Sequence, residues 1–220
     1  MTSPTARRAF LVGAPLAFAA LLTLHPMGGA DFHAGIAAAV ERWLAVHFGA
    51  AVLFPLMAYV VWLLLRDVPG RAATVARIAL PVYAVFYGVY ETTVGIASGI
   101  IAHQGNGMSG AERQGVADAV NGILSNPIVG EPGIFSGVGG IAWVVAVSGA
   151  IVALRAAGVR GAALVLLGAG ALMVLHIPPI GPLALLCLSG AAFLIERGRE
   201  RASHSSRSPA APSSLEEAVL

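Results

Sequence analysis

Apolar runs about as long as a bilayer-crossing helix, separated by short polar segments, make up most of this chain. The first covers 9–25, the second 43–65, the third 76–102 and the fourth 132–154. A helix needs about 20 apolar residues to cross a hydrocarbon core of about 30 Å. A further stretch, 161–195, carries no charged residue. As one helix it would reach about 52 Å at 1.5 Å per residue, too long for a single crossing. Pro178, Pro179, Gly181 and Pro182 fall at its middle, and clustered prolines end helices. The pattern therefore predicts two short spans there, 161–177 and 180–196. The expected fold is an all-α integral membrane protein, a bundle of about six transmembrane helices within residues 1–196.

The polar segments refine this picture. Asp31 is a candidate N-cap for a helix-compatible run from Phe32 to Arg42, which leads into the second span. Ser109 and Glu112 have capping-box spacing. Val116, Val120, Ile123 and Leu124 then share one helical face. They predict an outer amphipathic loop helix over 110–124. The segment 197–220, rich in Arg, Ser, Pro and Ala, is expected to be a disordered cytoplasmic tail.

Charge placement sets the orientation. With the N-terminus inside, eleven arginines fall on inner segments, and only Arg42 and Arg113 fall on outer ones. This positive-inside bias puts both termini in the cytoplasm. Trp43 and Trp62, near the two ends of the second span, suit interfacial anchors. The sequence holds no Lys, and Ala and Gly abound. This composition suggests a bacterium, and hence a multi-pass protein of the plasma membrane. Charged residues make up only 11% and mean hydropathy is +0.82, which excludes an ordinary soluble domain. The basic residues follow the topology, so no nucleic-acid partner is expected. The partners expected are the lipid bilayer, a lipid-soluble ligand and further copies of the chain. The single cysteine, Cys187, excludes a disulfide framework and a Cys-based metal site.

Two groups of residues carry candidate chemistry. Glu91 is the only charged residue within the apolar cores 9–24, 43–65, 78–101, 132–154 and 161–195, and it falls near the middle of 78–101. A carboxyl at that depth is costly and marks a functional site by default. Tyr83, Tyr87, Gly95 and Gly99 share its helical stripe, whereas Val82, Val85, Val89, Ile96 and Ile100 form the opposite face. Glu91 therefore points into the bundle, and Tyr87 is its candidate partner. None of these apolar cores contains Arg or Lys to pair with it, so a neutral acid is expected. Gly95 and Gly99 form a G-x-x-x-G step, and Ser136, Gly137, Gly139 and Gly140 lie at the matching depth of the fourth span, so the outer halves of the third and fourth spans are expected to pack tightly together.

The second group is histidine. His25, His33, His47, His103 and His176 all fall on the outer side. His25, His47, His103 and His176 are the best anchored by helices and are the candidate ligands of a transition metal. No pair has H-x-x-x-H spacing and H-E-x-x-H is absent, so no one helix announces the site. The function expected is a binding or accessory membrane protein with a buried polar site around Glu91. The alternatives are a membrane-embedded enzyme on a lipid-soluble substrate, with Glu91 as acid and a metal on the outer histidines, and a proton-coupled carrier.

Overall fold

The structure, a computed structural model, describes residues 3–26 and 31–205. It is helical, with no strand among the described residues. The long helices are α1 (Pro4–Leu22), α3 (Val40–Leu65), α4 (Arg71–Tyr90), α7 (Ile134–Ala156) and α9 (Ile180–Ser205). Shorter ones are α2 (Phe32–Ala37), α5 (Ser98–Gln104), α6 (Gly110–Leu124) and α8 (Ala162–Ala169). Five apolar rods are long enough to cross a membrane: Thr5–Leu22, Val40–Leu65, Arg71–Gln104, Ile134–Ala156 and Ile180–Ser203.

The stretch expected as a fifth span, 161–177, is shorter than expected. It comprises α8 and a 3-10 segment, Gly170–Val174. The proline-rich turn follows it. The other end of the chain also differs: helix continues beyond residue 196 to Ser205. The expected tail beyond Ser205 lies outside the described residues.

Helix α3 sits at the centre, packed on α1, α4 and α7, while α4 lies along α7 and α1 along α9. Phe18, Phe54, Tyr83, Trp143, Leu80 and Leu185 fill the core between them. The C-terminal carbonyls of α3 are left without helical partners, and arginines from three other helices meet them. Arg7 of α1 donates to Leu63 O at 3.0 Å, and Arg199 of α9 donates to Leu64 O at 2.6 Å. Arg77 of α4 donates to Leu65 O and to Val68 O. Cations at a helix C-terminus also oppose its dipole. Glu196 pairs with both Arg7 and Arg199, at 3.3 and 2.7 Å. This arginine-rich end is thus tied together through one helix terminus.

The opposite end carries a cap. Asp31 accepts from Ala34 N at 3.2 Å and starts α2, as expected. Helix α6 follows the expected bounds, although Ser109 makes no side-chain capping bond. Val120 is buried with Ile36, Val40, Trp43 and Ala102 in a small second core. Ile123 and Leu124 pack on the main core. The apolar face of α6 thus closes the end of the bundle opposite the arginines.

Helices α4 and α7, from the third and fourth spans, pack closely as expected, though not through Gly95 and Gly99. Gly95 and Gly99 meet α3, against His47, Trp43 and Leu44, and not α7. The α4–α7 approach uses Gly139, where an added Cβ would lie 2.9 Å from Tyr87 N, and Gly149. Gly140 has open space around the same position. Gly139→Val should therefore lower stability by about 1–3 kcal/mol through overpacking, with Gly140→Val much nearer neutral. Thermal unfolding in detergent compares the two; equal midpoints would remove the close approach at Gly139 from the packing.

Candidate functional site

Glu91 begins a π-helical segment, Glu91–Ala97, set between α4 and α5. Such wide turns inside helices recur at functional sites. Glu91 is only 1% exposed. It follows the whole of α4, so it lies about 30 Å from the start of that helix at 1.5 Å per residue. The whole rod, Arg71–Gln104, is about 50 Å long on the same count, so Glu91 sits a little past its middle.

Three of the four candidate histidines meet here. His25 lies just past α1, held by its backbone N–H on Leu22 O at 3.1 Å. His47 is in α3 and only 3% exposed. His176 lies in the turn before α9. Gly181 lets this turn close: a Cβ there would sit 2.3 Å from His176 O. The rings of His25 and His47 are 4.9 Å apart, and those of His25 and His176 are 5.3 Å apart. One ring nitrogen from each residue lies within 4.8 Å of the others. His103 stands apart, exposed in the last turn of α5, and His33 is not among the converging group either.

Each of the three rings is oriented through Nδ1. His25 Nδ1 is 2.8 Å from Pro26 O, and His47 Nδ1 is 2.7 Å from Trp43 O. A carbonyl only accepts, so each Nδ1 carries the proton. Tyr87 donates its hydroxyl proton to Val174 O at 2.8 Å. Its oxygen then accepts from His176 Nδ1 at 3.0 Å. All three neutral imidazoles thus keep their lone pair on Nε2. Burial holds the two loop histidines, His25 and His176, below the ordinary histidine value, so both are neutral at pH 7.

Glu91 faces this group. Its Oε1 is 3.9 Å from His47 Nε2, beyond hydrogen-bond range. Among the described residues, neither Glu91 Oε1 nor His25 Nε2 has a hydrogen-bond partner. Tyr87, the expected partner of Glu91, instead serves His176. Tyr90 donates to Glu131 Oε2, which brings a second carboxyl to the site. The histidines, Glu91 and Glu131 line one cavity of about 250 Å³, walled also by Phe32, Val94 and Leu124.

Trp43 is the residue whose role the sequence obscured. Its position suggested an interfacial anchor, yet it is buried at 5% exposure. Its indole stacks on His47 at 3.9 Å, and its Nε1 donates to Gly95 O of the π segment at 2.6 Å. Its own carbonyl holds His47 Nδ1. Gly95 makes the approach possible, since a Cβ there would lie 2.1 Å from His47 Cδ2. Sequence offered one clue, the four-residue step from Trp43 to His47, which puts both on one helix face.

No protein family matches this chain, and no curated protein or solved structure shows significant similarity to it. The functional reading rests on the site itself.

Trp43→Phe keeps an aromatic ring but removes the indole donor to Gly95 O, which keeps only the Ser98 N–H. The expected loss is about 0.5–1.5 kcal/mol. Chemical unfolding of the variant in detergent checks it. An unchanged stability would separate Trp43 from the α3–π contact.

Proposed function

We propose that this chain is a multi-pass protein of a bacterial plasma membrane that binds a small ligand in the outer cavity around Glu91. The arginine asymmetry places both termini in the cytoplasm. Residues 162–174 start beside the end of α7, where Val159 N bonds Leu154 O, and lead to His176 at the cavity. This short segment acts as the remaining passage, and it keeps the number of crossings even.

The observation that carries the reading is a pair of buried polar atoms without partners, Glu91 Oε1 and His25 Nε2, in residues lining one cavity. A buried polar group left unsatisfied costs about 1–3 kcal/mol. A protein that keeps two such groups beside one space gains by offering them to a ligand. At about 30 Å³ per water, the cavity holds about eight waters or a ligand of similar bulk. Apolar and aromatic walls with a few convergent polar groups are the usual make-up of such a site.

A catalytic role is the second reading. Glu91 is committed to no hydrogen bond and so is available to exchange a proton with whatever enters. The carrier reading has less support. Below the cavity, Phe54, Tyr83, Leu80 and Trp143 are sealed in the core, and a carrier needs access from both faces.

Two labelling experiments test this proposal in a Cys187→Ser background. A cysteine replacing Val94 on the cavity wall should react with a small membrane-permeant thiol reagent. One replacing Val147 in the sealed core should not. Equal silence at both positions would remove the cavity. Arg66 is exposed beyond the end of α3. An Arg66→Cys variant should react with an impermeant reagent only after cells are opened, and labelling in intact cells would invert the topology.

A further inference from the structure

We propose that the ligand of this cavity is a divalent transition-metal ion, zinc foremost, held by Nε2 of His25, His47 and His176. This inference rests on the binding-cavity reading above and names its ligand. The first support is tautomeric. Metal-bound histidines almost always donate their other ring N–H to a carbonyl, carboxylate or water, which fixes the ring and its lone pair. Here all three do so, to Pro26 O, Trp43 O and the Tyr87 hydroxyl. A chance cluster of interfacial histidines would turn some Nδ1 atoms inward and leave mixed lone pairs.

The second support is distance. Zinc–nitrogen bonds of about 2.0–2.1 Å set tetrahedral ligands about 3.3 Å apart. One nitrogen of each ring already lies within 4.8 Å of the others. Drawing such a triangle in to the tetrahedral spacing moves each nitrogen by less than about 1 Å, within reach of side-chain rotation. The three residues also come from separate elements, the end of α1, α3 and the turn before α9. Closing them on an ion ties these elements together.

The third support is the fourth group. Glu91 Oε1, buried and without a hydrogen-bond partner, lies 3.9 Å from His47 Nε2. It is placed to ligate the same ion directly or to accept a hydrogen bond from a water on it. Three imidazoles and one carboxylate suit zinc and its neighbours, whereas calcium and magnesium prefer all-oxygen sites. One carboxylate also offsets part of the ion's charge in a low-dielectric setting. Among the described residues no arginine lines the cavity, so no fixed cation there opposes entry.

The test uses the full-length protein without a polyhistidine tag, purified in detergent and stripped with a chelator. Zinc is then added, excess is removed and the metal-to-protein ratio is measured by mass spectrometry. About one zinc per chain is expected. His25→Ala, His47→Ala and His176→Ala should each lose it, whereas His103→Ala and His33→Ala should keep it. Tyr87→Phe removes the acceptor of His176 Nδ1–H. It should weaken zinc binding about 10–100-fold, as loss of an orienting partner does elsewhere.

The histidine variants can fail to fold, so the unaltered protein carries a second measurement. Cobalt(II) added to the stripped protein should give the intense visible absorption of a four-coordinate ion, displaced by zinc. A folded wild-type protein that takes up no zinc and gives no such spectrum overturns the proposal. So does uptake that persists when all three histidines are replaced. If Val94→Cys labels while metal is refused, only the metal inference falls. If zinc binds with the three-histidine dependence while Val94→Cys stays silent, the ion has an enclosed site and the open ligand cavity falls instead.

Discussion

Everything at the histidine end of this bundle depends on how closely α3 meets the rod of α4, the π segment and α5. Gly95 makes that contact possible, because the His47 ring occupies the place a side chain would take. Trp43 then locks it, with its indole on Gly95 O and its carbonyl on His47 Nδ1. These bonds are worth more in a water-poor interior than at a surface. One glycine and one tryptophan thereby decide where the imidazole points and how far it stands from Glu91.

The two ends of the molecule satisfy polar groups by opposite means. At the arginine-rich end, the last carbonyls of α3 are met by Arg7, Arg77 and Arg199, and Glu196 ties two of these cations together. There guanidinium groups meet carbonyl and carboxylate oxygens, although Arg7 Nε has no partner among the described residues. At the histidine end, Nδ1 of each ring is committed, while Glu91 Oε1 and His25 Nε2 have no partner among the described residues.

The cap joins these arrangements. Helix α6 buries Val120 against α2, α3 and α5, and Leu124 reaches the cavity wall. Water-excluding cover strengthens charge interactions beneath it. Glu131, brought in by the segment that follows α6, adds its carboxyl through Tyr90. The cavity is thus roofed by the same outer segment that supplies one of its acids.

Sequence alone determined the elements whose reason is local. Apolar runs gave the long helices, Asp31 announced α2, and the spacing of Val116, Val120, Ile123 and Leu124 announced α6 within its observed bounds. The stripe of Tyr83, Tyr87, Glu91, Gly95 and Gly99 correctly faced inward, because a helix repeats its faces whatever it packs against. Only tertiary structure decided what those faces meet. Gly95 and Gly99 accept α3 rather than α7, and Trp43 turned inward although its position suited an interfacial anchor. His25, His47 and His176 converged while His103 stayed outside. The physical reason is that periodicity describes one helix at a time. Side chains from α1, α3 and the turn before α9 share a site only once the bundle brings those segments together, and no spacing along the chain records that distance.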